Sequence, residues 1–148
     1  MDSILHTLFY FAIAVGLLVA FHEYGHFLVA RKVGVRVLRF SIGFGKVIWS
    51  YQKDAQSTEY VLSAVPLGGY VKCLGDADAA SGKDPDAITG LSDADRKRTM
   101  HGADLWRRAA AVAAGPVFNF ILSIIVFAGI FMFLGTSGDK PVIGKVAN

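Results

Sequence analysis

Two histidines four residues apart with a glutamate between them, in the run His22-Glu23-Tyr24-Gly25-His26, form the cluster in this 148-residue chain whose residue types and spacing could do chemistry. On a helix, positions i and i+4 share a face, so both imidazoles can aim a ring nitrogen at one metal ion. Glu23 then stands beside the metal, placed to take a proton from an attacking water. Zinc suits this set: it accepts imidazole, lowers the pKa of a water to about 7 and polarises a carbonyl, the two effects a peptide hydrolysis needs. A haem or copper site would use the histidines but leave Glu23 unexplained. A catalytic zinc site usually has three protein ligands, and the third is not visible in the sequence. His6 would lie near the opposite membrane face, His101 sits in a polar loop, and the remaining membrane-depth residues include no second carboxylate.

The element that must position these residues is a long apolar stretch. Residues 4–30 are apolar apart from His6, Thr7 and the motif itself, and as a helix they reach roughly 40 Å, enough to span a bilayer with tilt. A cleavable signal peptide would want a basic segment ahead of the apolar run, but Asp2 is the only charged side chain before Glu23. A second stretch, Ala109–Leu134, carries no charge and predicts another spanning helix, with Asp104 able to cap its N-terminal extension and Arg107 and Arg108 at headgroup level. Within it Gly115, Pro116 and Asn119 depart from a plain lipid-facing pattern. Gly115 and Pro116 fit close helix packing or a site-lining role. The Asn119 amide could hydrogen-bond a substrate carbonyl or a developing oxyanion.

The whole composition agrees with a membrane class, with 53% hydrophobic residues and a mean hydropathy of +0.45. Of the 15 lysines and arginines, 13 lie in residues 31–108, which by the positive-inside rule puts that loop in the cytoplasm and both termini outside. The same loop carries acidic residues and no RNA-binding motif, so nucleic acid is not expected as a partner. His22 lies nine residues before Arg31, which sets the motif roughly 13 Å inside the membrane boundary. A hydrolase at that depth implies a substrate that is itself a membrane segment, and a polar cavity to admit water.

The expected architecture is an α-helical membrane protein with a small β element. Residues 1–32 form transmembrane helix 1 and residues 33–74 a membrane-associated β-hairpin or sheet, read from β-branched and aromatic residues punctuated by Gly43, Gly45, Gly68 and Gly69. Residues 75–103 read as a mobile polar linker and 104–135 as transmembrane helix 2. The single cysteine, Cys73, cannot form an internal disulfide and reads as a reduced thiol.

The blocks HEYGHFLVARKVGVRVLRFSIGFGKVIW, TEYVLSAVPLGGYVK and RRAAAVAAGPVFNF resemble the bacterial site-2 protease family of intramembrane zinc metalloproteases, over most of the chain. That resemblance implies zinc as cofactor, His22 and His26 as metal ligands, Glu23 as the catalytic acid/base and Asn119 as a substrate-positioning or oxyanion-binding residue. It implies a reentrant β element around residues 39–71 that offers an edge to an unwound substrate segment. It also implies an inner-membrane enzyme acting on the transmembrane segment of a single-pass protein such as an anti-sigma factor. The third ligand, an Asp on a later helix in that family, has no counterpart here, and residues 136–148 resemble the start of a PDZ domain, so the chain reads as an incomplete piece of the enzyme. Met100 and His101 stand where the family tends to have Phe-Asn. The rival readings are a non-catalytic membrane scaffold, which gives Glu23 no purpose, and a transporter half, which predicts an inverted repeat that two spans do not display.

Overall fold

The computed structural model describes residues 2–76 and 88–135. Helix α1 runs Asp2–Lys32, strand β1 Val37–Tyr51, strand β2 Glu59–Cys73, a single turn α2 Asp93–Arg96, and helix α3 Leu105–Leu134. Both long helices are long and apolar enough to cross a membrane. Their large side chains, among them Phe9, Phe11, Leu17, Phe120, Ile124 and Phe131, are exposed. Apolar surface on this scale calls for hydrocarbon or further apolar helices rather than water, the build of a helical membrane protein with a small β element. The residues read as the start of a PDZ domain lie outside the described residues.

Small residues let the two helices touch. A methyl group added at Gly25 would sit 2.7 Å from the Ala114 carbonyl oxygen and 2.8 Å from the Phe118 ring, so the crossing needs glycine there. Helix α3 continues unbroken through Pro116. Asp104 occupies its N-cap position but makes no side-chain cap bond. Its carboxylate lies 3.5 Å from Arg107 Nε one turn on instead, a charge partner that competes with the backbone N–H groups a cap would bind.

The two strands pair antiparallel overall, but the register resolves them into four segments. Phe40 partners both Val71 and Tyr60, and Ser41 both Tyr70 and Val61, so the first half of β1 lies between the two halves of β2. Val47–Tyr51 then pairs with residues 60–63 on the far side. Between 39–42 and 59–62 the partner numbers rise together, so this middle pairing runs parallel. Gly43 at φ 88° and Gly45 at φ 82° turn β1 back on itself, a region of backbone space closed to most side chains. The two outer segments are 47–51 and 65–73.

The sheet lies along α1 rather than hanging below it. A methyl at Gly16 would lie 3.0 Å from the Pro66 carbonyl oxygen, and one at Gly69 3.0 Å from Glu23 Cγ. Gly16 is sixteen residues before Lys32, roughly 24 Å along the helix, so the bend of β2 reaches deep into the apolar zone. At the opposite end Phe27, Ala30, Val35, Val37, Phe40 and Cys73 bury a core with Ala103 and Ala111. Phe27 packs on Phe40 and Tyr60, with ring centroids 5.0 and 5.7 Å away.

The stretch expected to be a mobile linker is folded where it is described. Thr99 is buried at 1% exposure, its hydroxyl donates to the Arg96 carbonyl at 2.7 Å and accepts from Gly102 N–H, and Ser92 caps α2 by accepting from Asp95 N–H. Asp76, also buried, accepts from Cys73 N–H at 2.8 Å. Burial, with the Asp76 carboxylate adding to it, pushes the Cys73 thiol up to about 12.

Candidate active site

The motif occupies the face of α1 that meets α3. The His22 and His26 rings lie 4.7 Å apart at 76° to one another. Both Nε2 atoms point at Gly115: a methyl placed there would collide with His26 Nε2 and stand 2.6 Å from His22 Nε2. The missing side chain of Gly115 therefore leaves the space into which both ring nitrogens converge. A metal-binding pair needs such a space, and any larger residue would fill it.

The rings are held from behind. His26 Nδ1 lies 2.7 Å from the Ala111 carbonyl oxygen, which can only accept, so Nδ1 carries the proton and Nε2 keeps its lone pair for a metal. His22 Nδ1 lies 3.2 Å from the Asn119 side-chain amide, whose oxygen is buried without a hydrogen-bond partner in the opposite orientation. Exchanging the amide's oxygen and nitrogen, which have the same shape, lets His22 Nδ1–H donate to Asn119 Oδ1 and puts both histidines in the same metal-ready tautomer. Asn119 is fixed in turn through its backbone, its carbonyl accepting from Ser123 Oγ at 3.0 Å.

Glu23 projects to the other side of the pair, into a cavity of about 390 Å3 that it shares with His26, Gly69, Tyr70, His101 and Arg108. The outer segment of β2 forms one wall and α3 the other. His101, expected in a polar loop, lines the same cavity, with Nε2 3.9 Å from the buried Asp76 carboxylate. Neither Gly69 nor the Ala111 carbonyl could be singled out from residue type, since one has no side chain and the other acts through its backbone. His22 and Asn119 line a separate, smaller hollow with Pro116 and Phe120.

The donor set fits zinc as far as it goes: two imidazoles whose Nε2 atoms are aimed at one gap, with a carboxylate beside them. Among the described residues no third histidine, cysteine or carboxylate joins them.

HExxH thus lies at the crossing of two apolar helices, walled by a sheet that runs along the first of them. Residues 10–147 match the model of Peptidase family M50, and the chain belongs to that family. It is 48% identical over 92% of its length to a protein of Agrobacterium fabrum named "putative zinc metalloprotease", covering 36% of that protein. It is 44% identical over 99% of its length to the regulator of sigma-E protease RseP of Escherichia coli, covering 30% of it, and 42% identical to the protease RseP of Yersinia pestis over the same shares. The chain therefore spans about a third of the length of these relatives.

Proposed function

We propose that this chain carries the metal-binding and general-base half of a zinc-dependent intramembrane endopeptidase, which cuts the transmembrane segment of a single-pass membrane protein such as an anti-sigma factor. The observation that carries the reading is the convergence of His22 and His26 Nε2 on the gap at Gly115, with Glu23 in the adjoining cavity. When bound, zinc supplies an acidified water and an electrophile for the scissile carbonyl, with a third ligand contributed from outside the described residues. Glu23 takes the proton from the attacking water and returns it to the leaving amine. Ala111 and Asn119 hold the two histidines in the tautomer that leaves Nε2 free.

Asn119 has a second role in this reading, donating its amide N–H to the substrate carbonyl or oxyanion once the amide oxygen is occupied by His22. The outer segment 65–73 offers its free edge to an unwound substrate, which adds as a further strand beside Glu23. The apolar exposure of Phe44, Val47, Trp49, Val65 and Leu67 supports a sheet seated in the inner membrane, and the 13 of 15 basic residues within 31–108 support that loop as cytoplasmic and both ends of this chain as external.

The test is Glu23→Gln in the full-length protein within its membrane. Zinc content should stay near one per protein while cleavage of a membrane substrate falls about a thousandfold, within the roughly 10²–10⁴-fold usual for a general base. Turnover within tenfold of the parent would overturn the mechanism.

A further inference from the structure

A second polar cavity, about 430 Å3, opens where the last turn of α1 meets the turn between the strands and the segment after α2. Arg31, Arg36, Lys53 and Arg98 line it, with Tyr51 and Tyr60 at its apolar side. Four cations converge here from four separate parts of the chain. Their recorded partners are neutral: Arg36 Nη2 donates to the Gln56 carbonyl at 3.3 Å, and Arg31 reaches the Tyr60 hydroxyl at 3.5 Å while its guanidinium lies 5.3 Å above the Phe27 ring. Among the described residues none of the four is in an ion pair, whereas Arg39 on the neighbouring surface pairs with Glu59 at 2.8 Å.

The backbone fixes this arrangement. Arg36 N–H donates to the Arg98 carbonyl at 2.9 Å, and the Arg36 carbonyl accepts from Leu74 N–H at 2.8 Å. Arg36 and Arg98 are thereby held side by side despite their mutual repulsion, which an anion between them would relieve. A positive-inside bias accounts for cations in the loop but not for their convergence on one concave site to which, among the described residues, no carboxylate contributes.

Position selects the anion. Arg31 is in the final turn of α1, where an apolar helix ends, and the exposed Trp49 and Tyr51 rings stack 6.2 Å apart on the strand beside it. Basic residues and an aromatic pair at the end of a spanning helix mark the headgroup level of a bilayer. We infer that Arg31, Arg36, Lys53 and Arg98 bind the phosphodiester of an anionic glycerophospholipid, holding the end of the sheet nearest Arg31 at headgroup level. The inference rests on the membrane reading above but not on the zinc chemistry.

Native mass spectrometry of the full-length protein in detergent, titrated with phosphatidylglycerol, phosphatidylcholine or inorganic phosphate, tests it. The parent protein should retain one phosphatidylglycerol with a preference of roughly tenfold or more over phosphatidylcholine, and the doubly substituted Arg36→Gln/Arg98→Gln protein should lose that preference with zinc content unchanged. Should that protein fail to fold, Lys53→Gln on the exposed turn should still weaken retention about threefold. Equal retention by parent and variants overturns the site, and complete displacement by equimolar inorganic phosphate overturns the lipid assignment in favour of a free anion. Release of the protein from membranes by alkaline carbonate would instead sink the membrane reading itself.

Discussion

The gap opposite the two histidines leaves Gly115 little freedom to change. Gly115→Ala places a methyl against both Nε2 atoms, so zinc bound per protein should fall well below one while the helices still insert, checked by metal analysis of the purified membrane protein. Asn119 separates its two roles by substitution. Asn119→Leu removes the partner of His22 Nδ1 and should weaken zinc about 10- to 100-fold in competition with a chelator. Asn119→Asp keeps an acceptor for Nδ1–H and should restore zinc, but it has no N–H for an oxyanion, so turnover should stay depressed about a hundredfold. Recovery of full turnover by Asn119→Asp would limit the residue to positioning His22. Cys73 belongs to the opposite category: with its thiol pushed up to about 12, it should resist maleimide at pH 8 in the folded protein and react only on denaturation.

The sheet is the element on which sequence and structure differ most usefully. Alternating β-branched residues and glycines at 43 and 45 were sufficient to expect strands over residues 33–74, and β1 and β2 fall inside those bounds. That each strand folds over the other into four segments was not legible, because the parallel contact of 39–42 with 59–62 joins residues some twenty apart and follows from how the bends at Gly43 and Pro66 are covered. Gly16 and Gly69 decide how far the sheet sinks along α1. Gly16→Leu would drive a side chain into the Pro66 carbonyl and should lift the bend away, lowering substrate cleavage by at least about tenfold with zinc retained, since Gly16 is nearly two turns from His22. Proline at Ile42 should do the same by deleting a ladder hydrogen bond. Equal loss of zinc and cleavage in either variant would mean that the sheet merely supports the fold.

For the whole molecule, two apolar helices, a sheet that lies beside them and a basic cavity at the helix end form one arrangement, apolar along its sides and basic at one end. The sequence by itself was enough to propose the chemistry: HExxH can be read without a fold, because the 3.6-residue period brings i and i+4 together on any helix, and apolar length alone calls for a bilayer. It also located the second helix and marked Asn119 as out of place in it. Only the tertiary structure decided which backbone and side-chain atoms hold those histidines. The Ala111 carbonyl, the empty volume at Gly115 and the approach of Gly69 to Glu23 depend on how helices and sheet cross, and none of them is a property of residue type. The same holds for the four cations at the end of α1, scattered over nearly seventy residues of sequence and brought into one cavity by hydrogen bonds through the backbone of Arg36.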